Sequence, residues 1–125
     1  MNERILVVDD EEEVLRICSR ALCSADCGYT VVTAKSAAQA RIYLSEQEFD
    51  LLVLDIHLPE ENGISFLKDV RAAHPNLPAM LITGYPAVNT VFDAIRMDVR
   101  EYVLKPFTVR RLLEAVAASL SKVDA

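Results

Sequence analysis

Ile5-Leu6-Val7-Val8-Asp9-Asp10-Glu11-Glu12-Glu13 joins four consecutive aliphatic residues to five consecutive acids. Aliphatic residues that do not alternate with polar ones suit a strand covered on both faces, which is the habit of parallel sheets. The acids behind them suit the first turn of a helix, where negative charge meets the positive end of the helix dipole. Beyond the acids, Val14, Ile17, Cys18, Ala21 and Leu22 return at helical spacing, which predicts an amphipathic helix with Cys18 in the core. A buried strand running into a helix is half of a βαβ unit.

The same alternation continues along the chain. Further apolar runs stand at Tyr29-Thr30-Val31-Val32, Leu51-Leu52-Val53-Leu54, Ala79-Met80-Leu81-Ile82 and Tyr102-Val103-Leu104. Helical stripes follow: Gly63, Phe66, Leu67 and Val70 after the third run, and Val88, Val91, Ala94 and Ile95 after the fourth. Val109, Leu112, Leu113, Val116, Ala117 and Leu120 form the clearest stripe, after the fifth. Ser36 to Gln47 has the weakest pattern but is rich in helix formers. Five strands alternating with five helices imply right-handed crossovers and a parallel sheet coated on both faces, an α/β doubly wound fold.

The composition agrees. A chain of 125 residues is expected to form one domain, residues 1–125 with a core from about 4 to 121. Its 52% apolar content and 3 glycines exclude fibrous and disordered classes. A net charge of −6 argues against a bulk electrostatic grip on nucleic acid or on an anionic membrane. No stretch approaches the ~18 apolar residues of a membrane span. Cys18, Cys23 and Cys27 match no zinc spacing, and Met1-Asn2-Glu3-Arg4 has no secretory character, so free thiols in a reducing cytoplasm are expected.

In open sheets of this class, ligands bind outside the carboxyl ends of the strands. Those ends carry Asp9-Asp10, Asp55, Thr83 and Lys105-Pro106. Clustered carboxylates repel one another unless a cation joins them, and Mg²⁺ takes oxygen ligands of this kind. A hydroxyl and an ammonium beside them suit the remaining oxygens of a transferred phosphoryl group, and an Asp carboxylate can be the nucleophile. Singly, each residue has a plainer reading: Asp55 as a turn cap, Thr83-Gly84 as a strand exit, Tyr102 as a packed aromatic. Glu11, Glu12 and Glu13 read as a solvated helix start, and His74 as compensation of a helix C-terminus.

Taken together and in order, these pieces resemble the response-regulator receiver domains of two-component signalling. The resemblance rests on Ile5 to Glu11, Gly28-Tyr29, Leu54-Asp55 with Leu58-Pro59 and Gly63, Thr83-Gly84, and Tyr102 with Lys105-Pro106-Phe107, and runs from Ile5 to about Leu120. It implies a flavodoxin-like sheet in the order 2-1-3-4-5. Asp55 would accept a phosphoryl group from a histidine kinase or phosphotransfer protein. Asp10 and Asp55 would bind Mg²⁺ directly, Asp9 mainly through water, and His57 through its backbone carbonyl. Thr83 and Lys105 would hold the phosphoryl group, with a cis peptide before Pro106 aiming the lysine. Thr83 and Tyr102 would form the switch pair, reshaping the face of the fourth helix, fifth strand and fifth helix, through which a homodimer could form. His57 and Tyr85 occupy positions that vary in the family and tune phosphoryl lifetime.

Thr83-Gly84-Tyr85-Pro86 is similar to receivers of the nitrogen-regulator-like activators, and an output domain beyond Ala125 would fit that group. One departure stands before the fifth strand, where Asp98 occupies the customary glycine position. Two other readings compete. A haloacid-dehalogenase-like phosphatase also uses a strand-end Asp, Mg²⁺, Thr and Lys, but needs an acid where His57 stands. A phosphorylation-independent binding module would not need the acids, Thr83 and Lys105 together.

Overall fold

The computed structural model describes residues 2–24, 26–84 and 96–121. Its elements are β1 (Arg4–Val8), α1 (Glu12–Leu22), β2 (Thr30–Ala34), α2 (Ala37–Glu46), β3 (Leu51–Asp55), α3 (Gly63–Ala73), β4 (Ala79–Thr83), β5 (Val99–Leu104) and α4 (Val109–Ser121). The expected helix after β4, with Val88, Val91, Ala94 and Ile95, lies outside the described residues, as do Tyr85 and Pro86. α4 is the fifth helix of the sequence reading. The strands form one parallel sheet in the order β2-β1-β3-β4-β5, as the resemblance implied. No helix among the described residues is long and apolar enough to cross a membrane.

The central strands read as unbroken apolar runs because both of their faces are buried. Leu6, Val8, Leu52, Leu54 and Leu81 point to one side, where α2 and α3 supply Ala40, Leu44, Phe66, Leu67 and Val70. Ile5, Val7, Leu51, Val53, Met80 and Ile82 point to the other, against Leu15, Cys18 and Leu22 of α1 and Leu112, Ala115 and Val116 of α4. The period of two is therefore present, but it divides one core from another and not core from solvent.

Local chemistry places the helices. The Ser36 hydroxyl accepts the Gln39 N–H at 3.1 Å, which starts α2, and Ala37, Ala40 and Leu44 then form its buried stripe. Asn62 starts α3 by accepting the N–H groups of Ile64 and Ser65. Gly63 follows because nothing larger fits: an added Cβ would stand 2.4 Å from Ile56 Cα. Asp98 takes φ 58°, so the glycine position of the family does carry a left-handed residue here. Arg71 steadies that turn, its Nε donating to Met97 O at 3.2 Å while Nη1 donates to Leu77 O at 2.6 Å.

Two helix faces differ from expectation. On α1 the buried residues are Leu15, Cys18 and Leu22, while Ile17 stays 37% exposed. On α4 they are Leu112, Ala115, Val116 and Ser119, while Val109 is 48% exposed and Ala117 is exposed. Both helices carry more apolar residues than one face can hold. On α4 the sheet takes the side with small residues at 115 and 119, which permits close packing.

Candidate functional site

The strand ends converge as the chain order required. Asp9 follows β1, with its N–H on Ala34 O at 3.0 Å and its side chain fully buried. Its Oδ1 accepts the Glu11 N–H at 2.8 Å, turning the chain into α1. Asp55 ends β3 and is 4% exposed, with Oδ1 accepting the His57 N–H at 2.9 Å. Thr83 ends β4, buried, and its carbonyl accepts the Lys105 N–H at 2.8 Å. That bond carries β5's continuation across to the acids, and the Lys105-Pro106 peptide is cis.

Lys105 joins the acids into one group. Its Nζ lies 2.8 Å from Asp9 Oδ2, 2.8 Å from Glu11 Oε1 and 2.9 Å from Asp55 Oδ2. Burial works against its ammonium, but these three carboxylates outweigh burial and hold Lys105 above the usual lysine range. Asp9 goes the other way: burial pushes its carboxyl up to about 6, and Asp55 adds to the rise, although Lys105 and the Glu11 N–H oppose it. Asp9, Asp10, Glu11 and Asp55 each offer an oxygen, all within 4.8 Å of one another. Four carboxylates against one ammonium leave a local negative excess that a hard cation would relieve. Asp9 Oδ2 is buried and faces Lys105 without a well-directed hydrogen bond, so it has a coordination direction to spare.

Every expected strand-end residue is thus at this edge: Asp9 and Asp55 buried, Asp10 exposed, Thr83 beside the base of Lys105. His57 contributes its backbone to Asp55, and its side chain is exposed. Tyr102 stands next to Val103 on β5, half-buried against the core on the α2 and α3 side. Its hydroxyl is buried and has no hydrogen-bond partner among the described residues, and burial raises its pKa. Glu11 has a contact that its sequence context does not announce. It is exposed, as expected of a solvated helix start, but its carboxylate also reaches Lys105. Its position two residues after Asp9, on a turn that folds back toward the strand end, was the available signal. The run of five acids obscured it.

A family model for the response regulator receiver domain matches residues 5–117. This chain belongs to that family. As a receiver domain it is a signalling module of two-component systems, whose signalling depends on phosphorylation. The alginate biosynthesis transcriptional regulatory protein AlgB of Pseudomonas putida is 41% identical over 117 residues, 94% of this chain and 26% of that protein. The transcriptional regulatory protein ZraR of Escherichia coli K12 is 35% identical over 127 residues, 99% of this chain and 28% of that protein. The receiver domain therefore spans about a quarter of the length of these relatives. Among solved structures, a CheY-like receiver domain protein from Methanospirillum hungatei superposes with a TM-score of 0.89 at 28% identity, covering 96% of this chain and 94% of that one. NtrX from Brucella abortus gives 0.86 at 31% identity, covering 96% of this chain and 27% of that one, in keeping with the nitrogen-regulator-like resemblance.

Proposed function

We propose that this receiver domain accepts a phosphoryl group on Asp55 from a histidine kinase or phosphotransfer protein, and later returns it to water. The observation that carries the reading is the Lys105 ammonium held between Asp9 and Asp55, across three strand ends. An Asp55 carboxylate oxygen attacks phosphorus, the bond from phosphorus to the donor's imidazole nitrogen breaks, and that nitrogen keeps the electron pair. The His57 N–H fixes the carboxylate's orientation through Oδ1. Lys105 turns from the free carboxylates to a phosphoryl oxygen, and the Thr83 hydroxyl takes another. Asp9, Asp10, Asp55 and the His57 carbonyl would hold Mg²⁺, which supplies charge neutralisation for the carboxylates and the phosphoryl group.

Thr83 and Tyr102 then act as the switch pair. Movement of the Thr83 hydroxyl opens space for the Tyr102 ring, whose unpaired hydroxyl gives it little to lose by moving. The response reaches the face of the expected fourth helix, which lies outside the described residues, with β5 and α4, where homodimer contacts can form. The length of AlgB and ZraR supports a covalently attached output domain beyond Ala125, and their names support transcriptional control as the output. The three free cysteines fit a cytoplasmic setting. An exposed His57 in place of the required acid counts against a haloacid-dehalogenase-like phosphatase.

Intact mass after incubation with Mg²⁺ and acetyl phosphate tests the reading. Wild type should gain one phosphoryl group, Asp55→Asn none, and EDTA should abolish the gain. An unmodified wild type with several donors, including a phosphorylated histidine kinase, would sink it.

A further inference from the structure

An ammonium has three N–H donors, and in this receiver domain Lys105 directs one to Glu11 at 2.8 Å and one to Asp55 at 2.9 Å, with Asp9 Oδ2 also 2.8 Å away. A phosphoryl oxygen that pairs with Lys105 therefore competes with carboxylates already gathered around it. Asp9 is buried and Asp55 is the group being modified, whereas the Glu11 side chain is 59% exposed. Releasing Glu11 restores a carboxylate to water at little cost, while releasing Asp9 strands a charge in the interior. Glu11 also begins the first turn of α1 without capping it, since its side chain makes no hydrogen bond to the helix N-terminus. Its carboxylate is thus committed to Lys105 and to the mouth of the acidic pocket.

We propose that Glu11 is a positioning residue that competes with the incoming phosphoryl group for Lys105 and, by its charge at the pocket mouth, disfavours small anionic donors. The inference rests on phosphoryl acceptance at Asp55 and adds which residue restrains it. A free dianion such as acetyl phosphate meets the Glu11 charge unaided. A donor presented on a protein surface can offset it with that surface's own groups, so Glu11 biases the site toward a protein-borne phosphoryl group.

Two measurements on the full chain test this, using wild type, Glu11→Ala, Glu11→Gln and, as a charge control, Glu13→Gln. Glu13 lies in the same helical turn but outside the acidic cluster. In EDTA, Lys105 is labelled with an amine-acetylating reagent and quantified by peptide mass spectrometry against exposed Lys68. Loss of a charge-assisted bond should raise relative Lys105 labelling at least about threefold in Glu11→Ala, and leave it unchanged in Glu13→Gln. At saturating Mg²⁺, the rate of mass gain from acetyl phosphate should rise about fivefold in both Glu11 variants at low salt, the effect of one charge a few ångströms away in water. The gain should shrink toward wild type at high salt, a dependence that a purely structural role would not produce. Unchanged Lys105 labelling in Glu11→Ala, or a rate change independent of salt, overturns the proposal while wild-type phosphorylation stands. A wild type that gains no phosphoryl group overturns the phosphoacceptor reading itself and this inference with it.

Discussion

Lys105 Nζ lies 2.9 Å from Asp55 Oδ2, joining residues that stand 50 positions apart in the chain. The same ammonium meets Asp9 at 2.8 Å. Lys105→Met would leave two buried carboxylates without their cation, and removing one partner of a buried pair costs about 3–5 kcal/mol. Urea unfolding of the metal-free protein at neutral pH should show a loss of that order, partly restored by saturating Mg²⁺. A loss no larger than the ~1 kcal/mol of a surface pair would place the ammonium in solvent instead.

Asp9 makes the metal-free protein sensitive to pH. Its folded pKa stands near 6 against an ordinary 3.8, chiefly through burial. A raised folded pKa means that the folded state keeps a proton the unfolded chain has lost. The Asp9 contribution to stability is therefore complete below pH 3.8 and is lost as pH rises through about 6. The full swing is about 3 kcal/mol, of which about 1 kcal/mol falls between about pH 7 and about pH 5. Unfolding midpoints in EDTA should thus rise on mild acidification. Asp9→Asn should flatten that slope and stabilise the metal-free protein at neutral pH, while weakening Mg²⁺ binding measured by calorimetry. An unchanged slope in the variant would exclude Asp9 as its source.

Gly63→Ala should be costly and Gly84→Ala mild. A Cβ at Gly63 meets Ile56 backbone atoms at 2.4, 2.5 and 2.7 Å, and backbone cannot yield as a side-chain tip can. At Gly84 the nearest atom is Lys105 Cβ at 3.8 Å, an ordinary contact. Overpacking of the Gly63 kind costs about 1–3 kcal/mol, or upwards of about 4 °C in melting temperature for a chain of this size. Equal melting temperatures for Gly63→Ala and wild type would mean that the turn after β3 yields to the added methyl group.

The turn into β5 offers a stabilising substitution. Asp98 holds a left-handed backbone at φ 58°, which glycine adopts without strain, so Asp98→Gly should stabilise by about 0.5–1 kcal/mol. Arg71→Ala removes the donor that ties Met97 O at that turn to Leu77 O in the loop before β4 and should destabilise by about 1–3 kcal/mol. Arg71→Lys lacks the planar fork and should restore little of it. Denaturant midpoints of the three variants decide the matter.

Tyr102→Phe removes a buried hydroxyl with no partner among the described residues. Deleting an unsatisfied group relieves its desolvation penalty, so the variant should be as stable as wild type or up to about 1 kcal/mol more stable. A clear loss of stability would reveal a bond to the hydroxyl in solution.

The central strands were legible because sheet burial on both faces leaves an aliphatic run that no helix of four residues would need. Asp9, Asp55, Thr83 and Lys105 were legible for a related reason: polar groups that terminate such runs share the sheet's carboxyl edge whatever their separation in the chain. The faces of α1 and α4 were less so. Val109, Leu113 and Ala117 are as apolar as Ala115, and only the distance between helix and sheet chooses among them. Glu11 escaped because its exposed side chain and its acidic neighbours fit a solvated turn equally well. The Tyr102 hydroxyl escaped because an unmet bond has no sequence pattern.

All five residues of β3 are buried, and the strand is hydrogen-bonded on both sides, to β1 and to β4. Asp55 is its last residue, so the proposed phosphoacceptor stands on a strand held from both sides, a fixed anvil. Under the proposed function, strain placed on it by a phosphate would find little give in β3. It would pass sideways toward the outer strand β5, whose half-exposed residues and irregular register with β4 leave that edge of the sheet room to adjust.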